Sequence, residues 1–321
     1  MRIKVIGNVS RTEKPVSFEY SSGIVFDEDP ACDAYDWLVV YDELRRPEPL
    51  RCPRSHTILA TCEPVSIKHY SRAYVRQFGH LLTNRPDVDG HPYYHLGRGY
   101  YKWFCDRTYS ESVSTVLPPK TKTISAVCSS KQMKHTKHFA RFRLISELAK
   151  AIPDLEWYGH GVRSFGKKCE VMDPYRYHVV VENHIAPHHW TEKLSDAFLC
   201  ECLPFYAGAP DLADDFPKDS FIPIPIDDTD EAVRIVKAAV ANGEYEKRRE
   251  AVLEAKRMVL SKYNFWNQVA EVIGSAGAGP EEDVSDDSSS ECLLPRKVIR
   301  KRNLFAAIED AGWHLRQYLM I

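Results

Sequence analysis

The chain has 321 residues, more than one hydrophobic core usually serves, so two domains are expected. Its formal net charge is −2, with 44% hydrophobic and 27% charged residues; this is an ordinary globular balance, with no global basic field to recruit nucleic acid. Nine scattered cysteines (32, 52, 62, 105, 128, 169, 200, 202 and 292) form no CxxC pair. That argues against a zinc ribbon or a thioredoxin-type motif and for free thiols in a reducing compartment. MRIKVIGNVS is too short and polar for a signal peptide, and no apolar run approaches the ~20 residues of a membrane span; a cytoplasmic, soluble protein is expected.

MRIKVIG reads as a first strand closed by a glycine turn, YDWLVVYDE (35–43) as a second, and SHTILATCEP (55–64) as a third that Pro64 ends. Continuous apolar centres of this kind suit a parallel sheet covered on both faces. SIKHYSRAYVRQF is expected to hold a short helix, and HPYYHLGRGYYKWF is too aromatic and glycine-broken to assign.

VLPPKTK (116–122) has the two adjacent prolines of a stiff linker. A second unit follows it. KTISAVCSS is a strand, and HFARFRLISELAKAIP is an amphipathic helix with Phe139, Phe142, Ile145, Leu148 and Ala149 on one face, stopped at Pro153. LEWYG and YRYHVVVEN are strands, TEKLSDAFLCECLP is a helix opening at Thr191, and LPFYAG is a strand. SFIPIPI is extended, and the remainder to Leu260 is helix divided near Asn242-Gly243. Strand–helix alternation implies a doubly wound α/β domain. The expected boundaries are an N-terminal α/β domain over 1–117 and a C-terminal α/β domain over 118–273. An acidic, serine-rich linker over 274–292 is too polar to order itself, and a basic, amphipathic tail covers 293–321. The tail is expected to lie on an anionic membrane surface, making the protein peripheral; the alternative is a helix docked on its own or another subunit. On the first view, deleting the tail weakens vesicle binding and spares activity.

The stretch ENHIAPHHWTEKL (182–194), with its continuation, gives the sequence its most specific chemistry. Glu182-Asn183 end a strand, Thr191-Glu192-Lys193 open a helix, Pro204 to Gly208 form a Pro-x-x-x-Gly turn, and Phe216-Pro217 precede Ser220-Phe221. This ordered set resembles the signature of the family-10 glycosyltransferases, the α-1,3-fucosyltransferases. The resemblance extends more weakly backward through SAVCSS and WYGHGVR, and to LATCEP in the N-terminal half. Where the family often has Phe-Glu-Asn-Ser, this chain has Val181-Glu182-Asn183-His184, and Trp190 stands where Val or Ile is common.

The resemblance implies a GT-B scaffold: two Rossmann-like, doubly wound domains facing a cleft. It implies inverting transfer of fucose from GDP-fucose, the donor substrate, to a hydroxyl of a glycan acceptor. No cofactor is expected, and no metal. Glu63 matches the proposed base, which takes the acceptor's proton; its alternative is an ordinary loop glutamate. Arg163 and Lys193 match the diphosphate partners. A lysine in a helix's first turn opposes the dipole unless an anion is near, yet a surface lysine remains the alternative. Glu192 contacts the donor in the family, or simply favours the helix start. Glu182 and Asn183 lie where open α/β sheets bind ligands, with Asn183 orienting donor or loop. Thr191 caps the helix. His189 aligns with a donor-contacting aromatic in some relatives, and a solvated loop histidine is the equal alternative. Arg143 is assigned to a solvated helix face. His184, His188 and His189 lack a second cluster at zinc spacing. The second reading keeps the scaffold and changes the nucleotide sugar; the third is a non-catalytic nucleotide- or glycan-binding protein.

Overall fold

Short strands, two to seven residues long, build both sheets, the central ones from continuous apolar runs. The computed structural model describes residues 1–7, 23–88, 90–98, 102–130, 137–276 and 291–319. Among them the chain divides into two compact units, one containing the chain up to Gly97 together with Phe265 onward, the other containing Arg98–Asn264.

In the first unit the strands are β1 (Arg2–Ile6), β2 (Val25–Asp27), β3 (Trp37–Tyr41), β5 (Thr57–Ala60), β6 (His80–Thr83) and β7 (Tyr94–Leu96). They form one parallel sheet in the order β2-β1-β3-β5-β6-β7. Leu38, Val39 and Val40 on β3 and Ile58, Leu59 and Ala60 on β5 are wholly buried, as expected for central strands covered on both faces. The short β4 (Glu48–Pro49) pairs antiparallel with β13 (Cys292–Leu293) outside that sheet. Around it lie α1 (Arg72–Val75), α8 (Phe265–Ala276), α9 (Arg296–Arg302) and α10 (Leu304–Leu319).

The second unit contains β8 (Lys122–Val127), β9 (Leu155–Tyr158), β10 (Tyr175–Val181), β11 (Leu203–Ala207) and β12 (Ile222–Pro223). All are parallel, in the order β12-β11-β10-β8-β9. Its helices are α2 (Tyr109–Ser114), α3 (His138–Ala151), α4 (Glu192–Leu199), α5 (Leu212–Asp215), α6 (Thr229–Ala241) and α7 (Glu244–Leu260). Gly243, at φ +63°, supplies the left-handed residue that separates α6 from α7. Both sheets have the doubly wound order in which chain progression reverses beside the first strand, at β1/β3 and at β8/β10. Two doubly wound, parallel-sheet α/β units are the parts of which a GT-B scaffold is built.

The unit boundaries fall at 97/98 and 264/265, not at 117/118 and 273/274. VLPPKTK lies inside the second unit, and α8 belongs to the first, where Phe265 and Trp266 pack on Tyr41 and Phe26. Most of the acidic stretch expected as a linker over 274–292 lies outside the described residues. The tail folds back onto its own unit. Leu293, Ile299 and Ala306 join the core formed by Leu44, Leu50, Tyr74, Val75 and Phe78, the docked alternative named above. α3 buries Ile145 and Leu148 and packs Ala149 on the core as expected, but its buried face is shifted away from Phe139. Its buried residues are Arg141, Leu144, Ile145 and Leu148, while Phe139 is exposed. Among the described residues no helix is long and apolar enough to cross a membrane.

Candidate active site

The carboxyl ends of β8 and β10, at the reversal of the second sheet, are where an open α/β sheet leaves a crevice. β10 is a YRYHVVV run in which six of the seven residues are buried, so it delivers the next residue, Glu182, at the sheet's edge with no exposed surface. The Glu182 backbone N–H donates to the Ala207 carbonyl at 2.8 Å, carrying the pairing with β11 one residue further. Its carboxylate accepts the Thr191 backbone N–H at 2.8 Å, the Thr191 hydroxyl at 2.7 Å and the Lys193 ammonium at 3.2 Å. A buried carboxylate is tolerable only when so satisfied.

Thr191 caps α4 by accepting the Lys193 backbone N–H at 3.4 Å. The Lys193 ammonium also donates to Thr191 Oγ1 at 2.9 Å and to Glu192 Oε1 at 3.2 Å. Burial works against both charges. Glu182 and Glu192 nonetheless raise Lys193 above the usual lysine value, and Lys193 and Lys168 lower Glu192. Deeper on the same helix the buried Asp196 binds the Lys168 ammonium at 2.5 Å and the Phe104 backbone N–H at 2.7 Å. A glycine is required at 208, because a Cβ there would lie 2.2 Å from the Tyr206 hydroxyl and 2.7 Å from Glu182 Cγ. The Pro-x-x-x-Gly segment, expected as a turn, is strand β11 with Gly208 just past its end, and that glycine is the close approach that seats Glu182.

α3 begins at the same edge. The Lys137 backbone N–H donates to the Asn183 carbonyl at 3.1 Å, tying the helix start to the strand end. One turn on, Arg141 is buried and close enough to Lys193 for its charge to act on that ammonium. Among the described residues, Arg141 Nε and Asn183 Oδ1 are buried without a hydrogen-bond partner. One buried cation, Arg141, and one partly buried, Lys193, stand in the first turns of two helices, and with a donor unspent they form a site that can take an anion. Arg141 carried no motif in the sequence. The helical phase through Leu144, Ile145 and Leu148 marks its face as the buried one, and Arg143 two residues on reaches only the Asp227 carbonyl, at 3.3 Å.

The histidine-rich loop divides its labour. His189 is buried and lies edge-on to His184, ring centroids 5.2 Å apart. His188, at φ +53°, has Nε2 3.3 Å from Asp211 and Nδ1 3.3 Å from Asp215. The Asp215 carboxylate is wholly buried, pairs with Arg98 and accepts the Trp190 indole N–H at 3.0 Å. Trp190 packs between Phe216 and Tyr263. His188 and Trp190 therefore clasp the loop to α5, which the sequence did not reveal because Asp211 and Asp215 lie more than twenty residues on. Among the described residues no three His, Cys, Asp or Glu side chains converge as a metal site.

Arg163 stands apart from the Glu182 cluster's contacts. Its guanidinium pairs with Glu156 at 2.8 Å and lies 4.7 Å over the Tyr158 ring. Although burial pulls the other way, bonds from Lys122, Tyr158, Tyr175 and Arg163 hold the Glu156 carboxyl down to about 2. The structure thus brings Glu182, Asn183, Thr191, Glu192 and Lys193 together and adds Arg141. Glu63 belongs to the first unit, three residues past β5, on a loop that turns at Pro64.

Residues 117–241 match the model of glycosyltransferase family 10 (fucosyltransferase), C-terminal part. Among curated proteins the comparison finds no match. An α1,3-fucosyltransferase crystallised with GDP shares the fold at TM-score 0.52 and 16% identity, over 86% of this chain and 89% of that one. An α1,3-fucosyltransferase crystallised with GDP-fucose aligns at TM-score 0.48 and 17% identity over 77% and 80%. Anabaena Alr3699/HepE with UDP and glucose aligns at 0.46 and 11% over 75% and 78%. The match over 117–241 thus likens the second unit to the C-terminal part of glycosyltransferase family 10, and the fold is one shared with an α1,3-fucosyltransferase.

Proposed function

We propose that the protein transfers fucose from GDP-fucose to a glycan hydroxyl with inversion and without a metal ion. The observation that carries this reading is the corner in which Glu182 holds Thr191 and Lys193, with the buried Arg141 Nε unpartnered on the helix that starts beside Asn183, all inside the family-matched segment. The donor's diphosphate lies against these two cations, Arg163 adds a third from the loop after β9, and Asn183 turns its unspent amide oxygen toward a donor hydroxyl. His189 and His184 border the nucleotide. The acceptor oxygen attacks the anomeric carbon from the face opposite the diphosphate. Its proton passes to the Glu63 carboxylate as the C–O bond to the β-phosphate breaks, and the leaving GDP takes the bond's electron pair. Stabilising that charge is the larger electrostatic task, and proton removal the smaller. The test is a panel of glycan acceptors assayed with GDP-fucose in EDTA. The wild type should form an α-linked product from the β-linked donor. Glu63→Gln should lose roughly a hundredfold in kcat with GDP affinity unchanged; full activity in that variant removes Glu63 as the base.

A different nucleotide sugar is the second reading, favoured by His184 and Trp190 where the family has other residues. We place the protein in the cytoplasm, where its nine free cysteines stay reduced, and peripherally on an anionic membrane. Lys297, Arg300, Lys301 and Arg302 are exposed on α9, and Leu304, Phe305, Ile308, Leu315, Tyr318 and Leu319 on α10. That combination of cations and apolar surface suits a lipid headgroup boundary.

A further inference from the structure

The loop from Glu63 to the start of α1 at Arg72 is held by side chains distant in sequence. From within the sheet's edge, buried Arg85 donates through Nη1 to the Glu63 carbonyl at 3.0 Å and the Lys68 carbonyl at 2.7 Å. Its Nε and Nη2 bind Asp87, and its guanidinium lies 4.7 Å over the Tyr70 ring. Asp42, left-handed at φ +71° just past β3, receives the Lys68 ammonium at 2.5 Å and the Tyr70 hydroxyl.

The C-terminal helices supply a second set. The Trp313 indole N–H donates to the Val65 carbonyl at 2.6 Å, and its ring stacks on His69 at 6.3 Å. Arg296 Nη1 donates to the His69 carbonyl at 2.8 Å, while Arg296 Nε holds Glu43 at 3.2 Å. Glu309 accepts the Arg72 backbone N–H at 3.0 Å. Three side chains more than two hundred positions away therefore satisfy two backbone carbonyls of this loop and the N–H of Arg72, where it enters α1. Loops usually leave such groups to water. Tying them down costs conformational entropy in every ordered residue, and that cost serves a purpose where a side chain must be held to a fraction of an ångström.

We propose that α9 and α10 act as a brace that fixes the 63–72 loop and so positions the Glu63 carboxylate, with Trp313 and Arg296 as positioning residues. The catalytic part of this rests on the reading of Glu63 as base. It replaces the expectation that the tail can be removed without effect on turnover.

The experiment pairs hydrogen–deuterium exchange with kinetics on the full chain. Trp313→Phe keeps a ring against His69 and loses only the donor to Val65; Arg296→Ala loses the donor to His69, and Arg296→Lys keeps one. Amide exchange across 63–72 should rise in Trp313→Phe and Arg296→Ala. In both, kcat should fall about tenfold with KM for GDP-fucose and the Kd for GDP unchanged, and Arg296→Lys should recover most of the rate. Unaltered exchange in both variants overturns the brace. Faster exchange with an unaltered kcat overturns its catalytic role. A wild type that turns over no GDP-fucose overturns the proposed reaction instead, and the exchange measurement, which needs no substrate, then decides the brace alone.

Discussion

Glu182 holds Thr191 with both carboxylate oxygens, one on its backbone N–H at 2.8 Å and one on its hydroxyl at 2.7 Å. A strand end and a helix start are thereby locked into one rigid corner, and Lys193 is aimed from it. Glu182→Ala should cost about 3 kcal/mol of stability, because it leaves two Thr191 donors and a largely buried ammonium without their strand-side partner. Glu182→Gln should cost less, since one acceptor oxygen survives. Thermal or urea unfolding of the two variants checks the order; equal stability of Glu182→Ala and wild type contradicts it.

Arg141 should separate binding from stability. Its Nε is buried and unpartnered, so Arg141→Met removes a poorly satisfied charge and should leave the melting temperature level or raised. GDP affinity should fall tenfold or more, about 1.5 kcal/mol, the worth of a charge-assisted bond. Arg143→Ala, on the solvated face, should change neither. A loss of GDP affinity confined to Arg143→Ala would assign the phosphate to the wrong arginine.

Gly208→Ala tests the close approach. The added methyl meets the Tyr206 hydroxyl and Glu182 Cγ inside contact distance, and both groups are buried. Overpacking of this kind costs about 1–3 kcal/mol, and the displaced Glu182 should weaken GDP binding as well. Unfolding curves and a GDP titration read the two effects.

Acid should destabilise the fold through two buried imidazoles. Burial, aided by the Lys168 and Lys120 charges, holds His178 down to about 3, and burial with neighbouring His95 holds His80 down to about 4. Unfolded histidines titrate near 6.5. Below that value the unfolded chain takes up protons that the folded chain refuses, so stability falls as pH drops from about 6.5 and returns as it rises. The melting temperature should decline across this window, and more shallowly in His178→Gln and His80→Gln. Slopes identical to wild type would show that these residues are not neutral in the native state.

The exposed apolar face of α10 makes a separate prediction. Phe305→Glu and Leu315→Glu change outward-facing side chains. They should reduce co-sedimentation with anionic vesicles while leaving the melting temperature within about 1 °C, as surface changes usually do. Undiminished sedimentation would argue against a membrane role for this face.

The central strands were legible because both faces of a parallel strand are buried, so WLVVY and VVV announce themselves without needing a period. β2 and β7, three residues each at opposite edges, carry no such run and were not seen, and neither was the inner β6, whose HLLT run is only four residues long. α8 was placed with the wrong unit because sequence order favours its neighbour α7, whereas Phe265 and Trp266 find their partners in Tyr41 and Phe26. The Glu182–Lys193 corner was legible through its motif spacing. The partners of His188, Trp190 and Trp313 were not, since Asp215, Arg98 and Val65 become neighbours only through the fold.

The most direct measurement is a calorimetric titration of the purified chain with GDP, GDP-fucose, GDP-mannose and UDP-glucose in EDTA. A metal-free guanine-nucleotide sugar site predicts binding of GDP and GDP-fucose under these conditions, lost together in Lys193→Met and Arg141→Met. Binding of UDP-glucose in their place, or binding that appears only when a divalent ion is restored, would contradict it.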